Sequence, residues 1–216
     1  MKKFLIGLLD WIYKKKCYFC RNSKECVKMC SECYNEMEHI FPAKANRIID
    51  GKNVYCAGIY EKNLQKLIRG LKYHNQPDLA YYLAKFMAEY WEKVTDDKNF
   101  QVIPVPIYEK RRKQRKYNHM ELVAEEFSRI MGYNYNPNLI KRIKDTKPQY
   151  NLKKPERAKN LKGAFEVDPT KLQQGKLLII DDICTTGSTF EEMILELGKY
   201  NINDIVCFTA TTPFGD

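Results

Sequence analysis

The stretch LLIIDDICTTGST, residues 177–189, decides how the rest of this 216-residue chain is read. Leu177 to Ile180 are continuously apolar, as in a strand covered on both faces; a half-solvated strand would alternate with polar residues. Thr185, Thr186, Gly187, Ser188 and Thr189 then form a tight turn into a helix whose apolar stripe is Phe190, Met193, Ile194 and Leu197. Gly187 lets backbone approach a ligand, while N–H groups and hydroxyls converge on an anion at the helix N-terminus. No Gly-Lys-Ser/Thr follows and no G-x-G-x-x-G occurs, which excludes an ATP-type P-loop and a dinucleotide fingerprint. A cradle this small suits a monophosphate. Asp181 and Asp182, at the carboxyl end of the strand, need other partners. Ionised aspartates are pure acceptors and vicinal sugar hydroxyls are donors, so phosphate on one side and diol on the other describe a ribose 5-phosphate. A Mg²⁺ ion on the sugar and a leaving pyrophosphate would offset the remaining charge.

Outward from this motif, helical stripes alternate with apolar strands. Leu64, Leu67, Ile68 and Leu71 recur at helical spacing, and Leu79, Leu83, Phe86 and Tyr90 continue the period after Pro77. Residues 100–106 (FQVIPVP) read as a buried strand ended by prolines, followed by a helix marked by Leu122, Val123, Phe127 and Ile130. Short strands are expected near LIKRI and GAFEV, with a Pro-containing loop between them, and residues 204–211 (DIVCFTAT) form the last strand. This order predicts an α/β fold with a mainly parallel sheet flanked by helices. Ligands of such sheets bind beyond the carboxyl ends of the strands, where the motif falls.

Ahead of this lies a first module, residues 1–50, closed by the turn-prone stretch NRIIDGKN; residues 51–216 make up the second. Five of the eight cysteines fall between Cys17 and Cys33. Cys17-x-x-Cys20 and Cys30-x-x-Cys33 are two knuckles nine residues apart, and each brings two thiolates to one tetrahedral ion. The set Cys17, Cys20, Cys30 and Cys33 is expected to hold a structural zinc, with Cys26 a spectator or alternate ligand. Such an ion folds a segment too small for its own core. The apolar run at residues 4–12 is too short to span a bilayer and contains Asp10, so it reads as a short packed helix in a cytoplasmic protein. The net charge of +10 favours acidic partners.

Four apolar residues followed by Asp-Asp-x-x-Thr-Thr-Gly-x-Thr resemble the phosphoribosyl-pyrophosphate (PRPP) signature of type I phosphoribosyltransferases. The remainder resembles the ComF-type competence proteins of that family. The likeness rests on the four-cysteine ribbon, Leu71-Lys72-Tyr73, Pro104-Val105-Pro106, the isolated Gln149, Arg157 with Asn160, and Gly163-Ala164-Phe165. An Arg-Gly-Phe-Asn-Gln segment of those proteins here reads Arg115-Lys116-Tyr117-Asn118-His119, with Gly and Gln both replaced, and no role is carried over to His119. The resemblance implies a phosphoribosyltransferase core in which Asp181 and Asp182 hold the ribose hydroxyls as catalytic residues and residues 185–189 hold the 5-phosphate. It also implies a mobile loop over residues 150–162, Mg²⁺ with PRPP, and cations near the pyrophosphate. Lys72, Arg111 and Arg115 are the candidates for those cations.

Six basic residues in the seven from Lys110 to Lys116, flanked by Tyr108 and Tyr117, offer a second surface. Arg111, Arg112, Lys113, Arg115 and Lys116 are candidates for single-stranded DNA, with the tyrosines available for stacking. Three functions follow: a PRPP-binding protein of DNA uptake, an enzyme moving phosphoribose to a nitrogen acceptor, and an adaptor whose ribbon docks a competence helicase. Only Thr212 to Asp216 follow the last strand, too few for a base-recognition hood, so binding of PRPP is expected and turnover is left open. His39, His74 and His119 form no ligand pattern and are expected to be structural or exposed; Cys184 is expected to fill space.

Overall fold

The computed structural model describes residues 16–25, 27–41, 43–45, 47–146 and 154–213. The expected helix at residues 4–12, Cys26 and Gln149 lie outside them, as does the side chain of Arg157. The order is α1 (Ser31–Asn35), β1 (Arg47–Ile49), β2 (Lys52–Ile59), α2 (Lys62–Tyr73), α3 (Ala80–Trp91), β3 (Phe100–Pro104), α4 (Glu109–Arg115) and α5 (His119–Met131). There follow β4 (Asn134–Tyr135), β5 (Ile140–Arg142), α6 (Lys154–Leu161), β6 (Phe165–Val167), β7 (Lys176–Ile183), α7 (Ser188–Gly198) and β8 (Ile205–Thr212).

Six strands form one sheet in the order β1-β2-β8-β7-β3-β4. Every pairing in it is parallel except the β1–β2 edge hairpin. β5 and β6, the strands expected near LIKRI and GAFEV, pair antiparallel as a separate ribbon. Helices cover both faces, as continuous apolar strands require. Leu178, Ile180, Phe208 and Val102 pack under α2, α3 and α5. Leu177, Ile179, Cys207 and Ile103 pack under α7, Leu161 of α6 and Phe165 of β6.

The stripe Leu64, Leu67, Ile68, Leu71 is the buried side of α2. Two elements differ from the sequence reading. β7 runs to Ile183, so Asp181 and Asp182 belong to the strand itself rather than following it. Asp50-Gly51, within the stretch read as closing the first module, is the turn of the β1–β2 hairpin, with φ of +47° and +71°. Positive φ at both central residues matches the right-handed twist of the flanking strands. The turn thus joins two neighbouring, hydrogen-bonded strands of one sheet.

Candidate functional site

The four cysteines of the two knuckles converge. The sulfurs of Cys17, Cys20, Cys30 and Cys33 lie within 4.8 Å of one another, and Cys20 Sγ stands 3.7 Å from Cys30 Sγ. A tetrahedral zinc with bonds of about 2.3 Å separates its sulfurs by about 3.8 Å, so the set fits such an ion. The N–H groups of Phe19 and Cys30 both donate to Cys17 Sγ at 3.4 Å, as they would to a thiolate. Among the described residues no other group of three His, Cys, Asp or Glu ligands comes together. Any Mg²⁺ would therefore bring other ligands with it, as Mg²⁺ on a phosphate does.

This module is fastened to α2 along its length. Asn63 donates to Cys33 O at 3.0 Å, Lys66 donates to Phe19 O at 2.9 Å, and Tyr18 Oη lies 2.5 Å from His74 Nδ1. Gly70 leaves room on this face: a Cβ there would sit 2.5 Å from Leu79 Cδ1 and 3.3 Å from the Tyr18 ring. The helix so held delivers Lys72 to the carboxyl edge of the sheet.

At that edge the adjacent aspartates diverge, because consecutive strand residues point to opposite faces. Asp182 is buried, and its Oδ2 receives both Lys72 Nζ at 2.6 Å and His119 Nε2 at 2.5 Å. Burial works to raise its pKa, but Lys72 and then His119 more than offset that and hold it well below the carboxylate range. Burial in turn keeps His119 below its ordinary value, with Lys72 and Arg115 opposing the pull of Asp182. A neutral ring with its proton on Nε2 donates to Asp182 and leaves Nδ1 to face Arg115 Nη1 at 3.5 Å. Asp181 is half-buried. Burial, and next the charge of Asp182, push it up to about 7, against the pull of Lys72 and Arg142.

The turn after β7 is built as its composition requires. Gly187 adopts φ +84°, and a methyl added there would overlap Ile49 Cδ1. It caps α7, and Thr186 Oγ1 lies 2.9 Å from Ser188 Oγ. Arg47 of β1 ties the loop down, donating to Thr185 O, and to Thr212 Oγ1 at 3.4 Å. Cys184 is buried, and burial pushes its thiol up to about 11, which suits packing rather than nucleophilic chemistry.

The cationic candidates separate into two groups. Lys72 touches Asp182 directly, with Arg115 one layer out against His119. Arg111 donates to Thr146 O at 2.6 Å, while Arg142 donates to Thr146 Oγ1. Burial, and next the Arg111 charge, lower Arg142 to about 10; its Nε is buried and has no hydrogen-bond partner among the described residues. Of the basic run, Arg112, Lys113 and Lys116 are exposed, and Arg112 pairs with Glu121 at 3.0 Å. Lys116 has φ +69° at the end of α4, a left-handed position of the kind that favours Gly. Asn118 caps α5 through Met120 N–H and donates to Val105 O at 3.3 Å, pinning the Pro-Val-Pro strand end.

Sequence reasoning passed over His119, Arg142 and Arg47. For His119 a signal existed: it precedes Val123 by four residues and Phe127 by eight, on the buried stripe of α5. A polar residue on such a stripe calls for a buried partner. His39 is structural as expected, stacked 4.1 Å from the Phe86 ring and bonded to Phe86 O at 2.8 Å.

No protein-family profile matches the chain. It is similar to competence protein F of Haemophilus influenzae, 28% identical over 201 residues that cover 88% of this chain and 86% of that protein. Competence protein ComFC of Bacillus subtilis is 24% identical over 186 residues, 85% of this chain and 72% of that protein. DNA utilization protein YhgH of Escherichia coli K12 is 27% identical over 138 residues, and the chain spans 60% of its length. Among the described residues no helix is long and apolar enough to cross a membrane.

Proposed function

We propose that this protein binds PRPP through a phosphoribosyltransferase-type site and acts in DNA uptake as a ComF-type competence protein in the cytoplasm. Residues 1–50 form a zinc-ribbon module that also lends the edge strand β1 to the sheet, and residues 51–216 a phosphoribosyltransferase-like domain. The observation that carries the reading is the left-handed Gly187 at the head of α7, with half-buried Asp181 among the last residues of the adjoining strand. The turn of residues 185–189 would take the 5-phosphate on backbone N–H groups and hydroxyls. Asp181 would accept the ribose hydroxyls, and Asp182 would fix Lys72 and His119 beneath them. Mg²⁺ bound to the diphosphate would neutralise part of its charge. The names of the similar proteins, which speak of competence and DNA utilization, support the cellular role. Single-stranded DNA is the partner of the α4 cations, and a competence helicase is the partner of the ribbon.

The test is a calorimetric titration of PRPP with Mg²⁺, with and without single-stranded DNA, into wild type and Asp181→Asn. Saturable binding that Asp181→Asn loses supports the reading; equal binding by both proteins sinks it. A second reading, transfer of phosphoribose to a nitrogen acceptor, is favoured by Arg142, a half-buried cation in electrostatic reach of Asp181 whose Nε has no hydrogen-bond partner among the described residues. Pyrophosphate release from PRPP over a panel of bases distinguishes it from binding alone.

A further inference from the structure

The basic segment ends against an aromatic ring that its own sequence does not contain. Tyr73, the last residue of α2, is 57% exposed, and the Arg115 guanidinium carbon lies 5.4 Å from its ring centroid. Neither tyrosine flanking the run is as exposed as Tyr73, and one is tied down by its hydroxyl. Tyr117 is half-buried and its hydroxyl donates to Leu71 O at 2.8 Å; Tyr108 is half-buried at the start of α4. The Tyr117 bond fastens the α4–α5 junction to the last turn of α2 and so keeps the backbones that carry Tyr73 and Arg115 side by side. Their neighbours lead inward. Arg115 faces His119 at 3.5 Å, and Lys72 contacts Asp182 at 2.6 Å. Half-buried Tyr60 is close enough to feel the charges of Lys72 and Asp182 and the hydroxyl of Tyr73.

An exposed ring under a guanidinium offers a flat, π-rich and cationic surface, which suits a planar heterocycle. Exposed Arg112, Lys113 and Lys116 continue the positive charge along α4 and past its end. A free base carries no phosphates to match that line of cations, whereas a polynucleotide does. We infer that Tyr73 and Arg115 form a stacking shelf for one unpaired nucleobase of single-stranded DNA, at the mouth of the Asp182 site, with Arg112, Lys113 and Lys116 following the strand's phosphates. This rests on the DNA-handling part of the proposed function and is independent of whether PRPP binds. The shelf accepts any base, since stacking reads no hydrogen-bond edge.

The test is fluorescence anisotropy with an oligo-dT of about 12 nucleotides and an abasic oligomer with the same number of phosphates. Tyr73→Ala is expected to weaken oligo-dT binding roughly tenfold, to leave abasic binding unchanged, and to be rescued by Tyr73→Phe. A triple Arg112→Ala, Lys113→Ala, Lys116→Ala variant should weaken both oligomers and flatten their salt dependence. Loss of both oligomers alike in Tyr73→Ala, or of neither, overturns the shelf. If Tyr73→Ala spares oligo-dT but weakens thymine or adenine, the ring serves a small ligand and the DNA assignment is overturned. Tyr73→Ala should retain wild-type thermal stability and wild-type PRPP affinity, so failure of the shelf and failure of the sugar-phosphate site register in different titrations.

Discussion

Asp181 makes the sugar-phosphate reading depend on pH in a way that can be calculated. Burial and the neighbouring Asp182 push its carboxyl up to about 7, so near neutral pH about half the molecules carry a proton there. A diol presents two O–H donors and is best received by the ionised form. If binding requires ionised Asp181, the observed affinity scales with the ionised fraction. That fraction is roughly nine-tenths at pH 8, one-half at pH 7 and one-tenth at pH 6. PRPP with Mg²⁺ should thus bind about tenfold more weakly at pH 6 than at pH 8, with about half a proton released per ligand at pH 7. Calorimetry in two buffers of different ionisation enthalpy measures that proton directly. A phosphate group also titrates near pH 6, so Asp181→Asn serves as the reference that retains the ligand's own titration.

The same shift sets the stability. Unfolded Asp181 ionises near pH 4 and folded Asp181 at about 7, so between them the folded state binds more protons and loses stability as pH rises. Asp181→Asn should accordingly melt at a higher temperature than wild type at pH 8 while binding less PRPP. Parallel pH profiles for wild type and Asp181→Asn would refute the argument, because the raised carboxyl would then play no part in binding.

The other sites give sharper structural outcomes. Gly187→Ala combines a left-handed φ with overlap on Ile49 Cδ1, so it should lose at least ~1 kcal/mol in denaturant unfolding and most PRPP affinity. A second change, Ile49→Ala, removes the overlap but not the backbone strain, and should recover neither property fully. Chelation of the metal, followed by metal analysis and thermal melting, should remove about one zinc per chain and lower the melting temperature. Cys17→Ser should do the same without chelator. His119→Gln keeps a donor for Asp182 and should stay within ~1 kcal/mol of wild type, whereas His119→Leu leaves that oxygen one partner short and should lose about 1–3 kcal/mol.

The strand and turn of residues 177–189 were legible because each rests on local physics: a continuous apolar run, and a glycine where the chain must turn tightly at a helix start. The stripe of α2 was legible for the same reason. The Lys72–Asp182–His119 contact was not, since its members are 47 and 63 residues apart in sequence and meet only through tertiary packing. Lys72 lies four residues after Ile68 and His119 four before Val123, so both fall on apolar helical stripes. Polar residues at such positions mark a buried polar meeting point, though not its third member. Asp50-Gly51 between two short apolar stretches was a hairpin signal hidden within a polar run. Arg142 left no trace, because one arginine in a basic segment carries no sign of which face its short strand will bury.

In the proposed site two carboxylates would stand beside an anion cradle without repelling the anion, because strand geometry gives each aspartate a different counterpart. Asp182 shares its oxygen with Lys72, so that pair presents no net charge. Asp181, on the other side, keeps its proton up to about 7, with Arg142 in electrostatic reach. The two residues are therefore not interchangeable, and single variants separate their roles. Asp182→Asn leaves Lys72 largely sheltered without its counter-charge; breaking such a pair loses about 3–5 kcal/mol, or roughly 6–20 °C in melting temperature for a chain of this size. Asp181→Asn removes a charge that burial and Asp182 disfavour and should lose none. Differential scanning calorimetry at pH 8 decides the matter. Equal melting temperatures for the two variants would mean that Asp182 is not the buried anchor of Lys72 and His119.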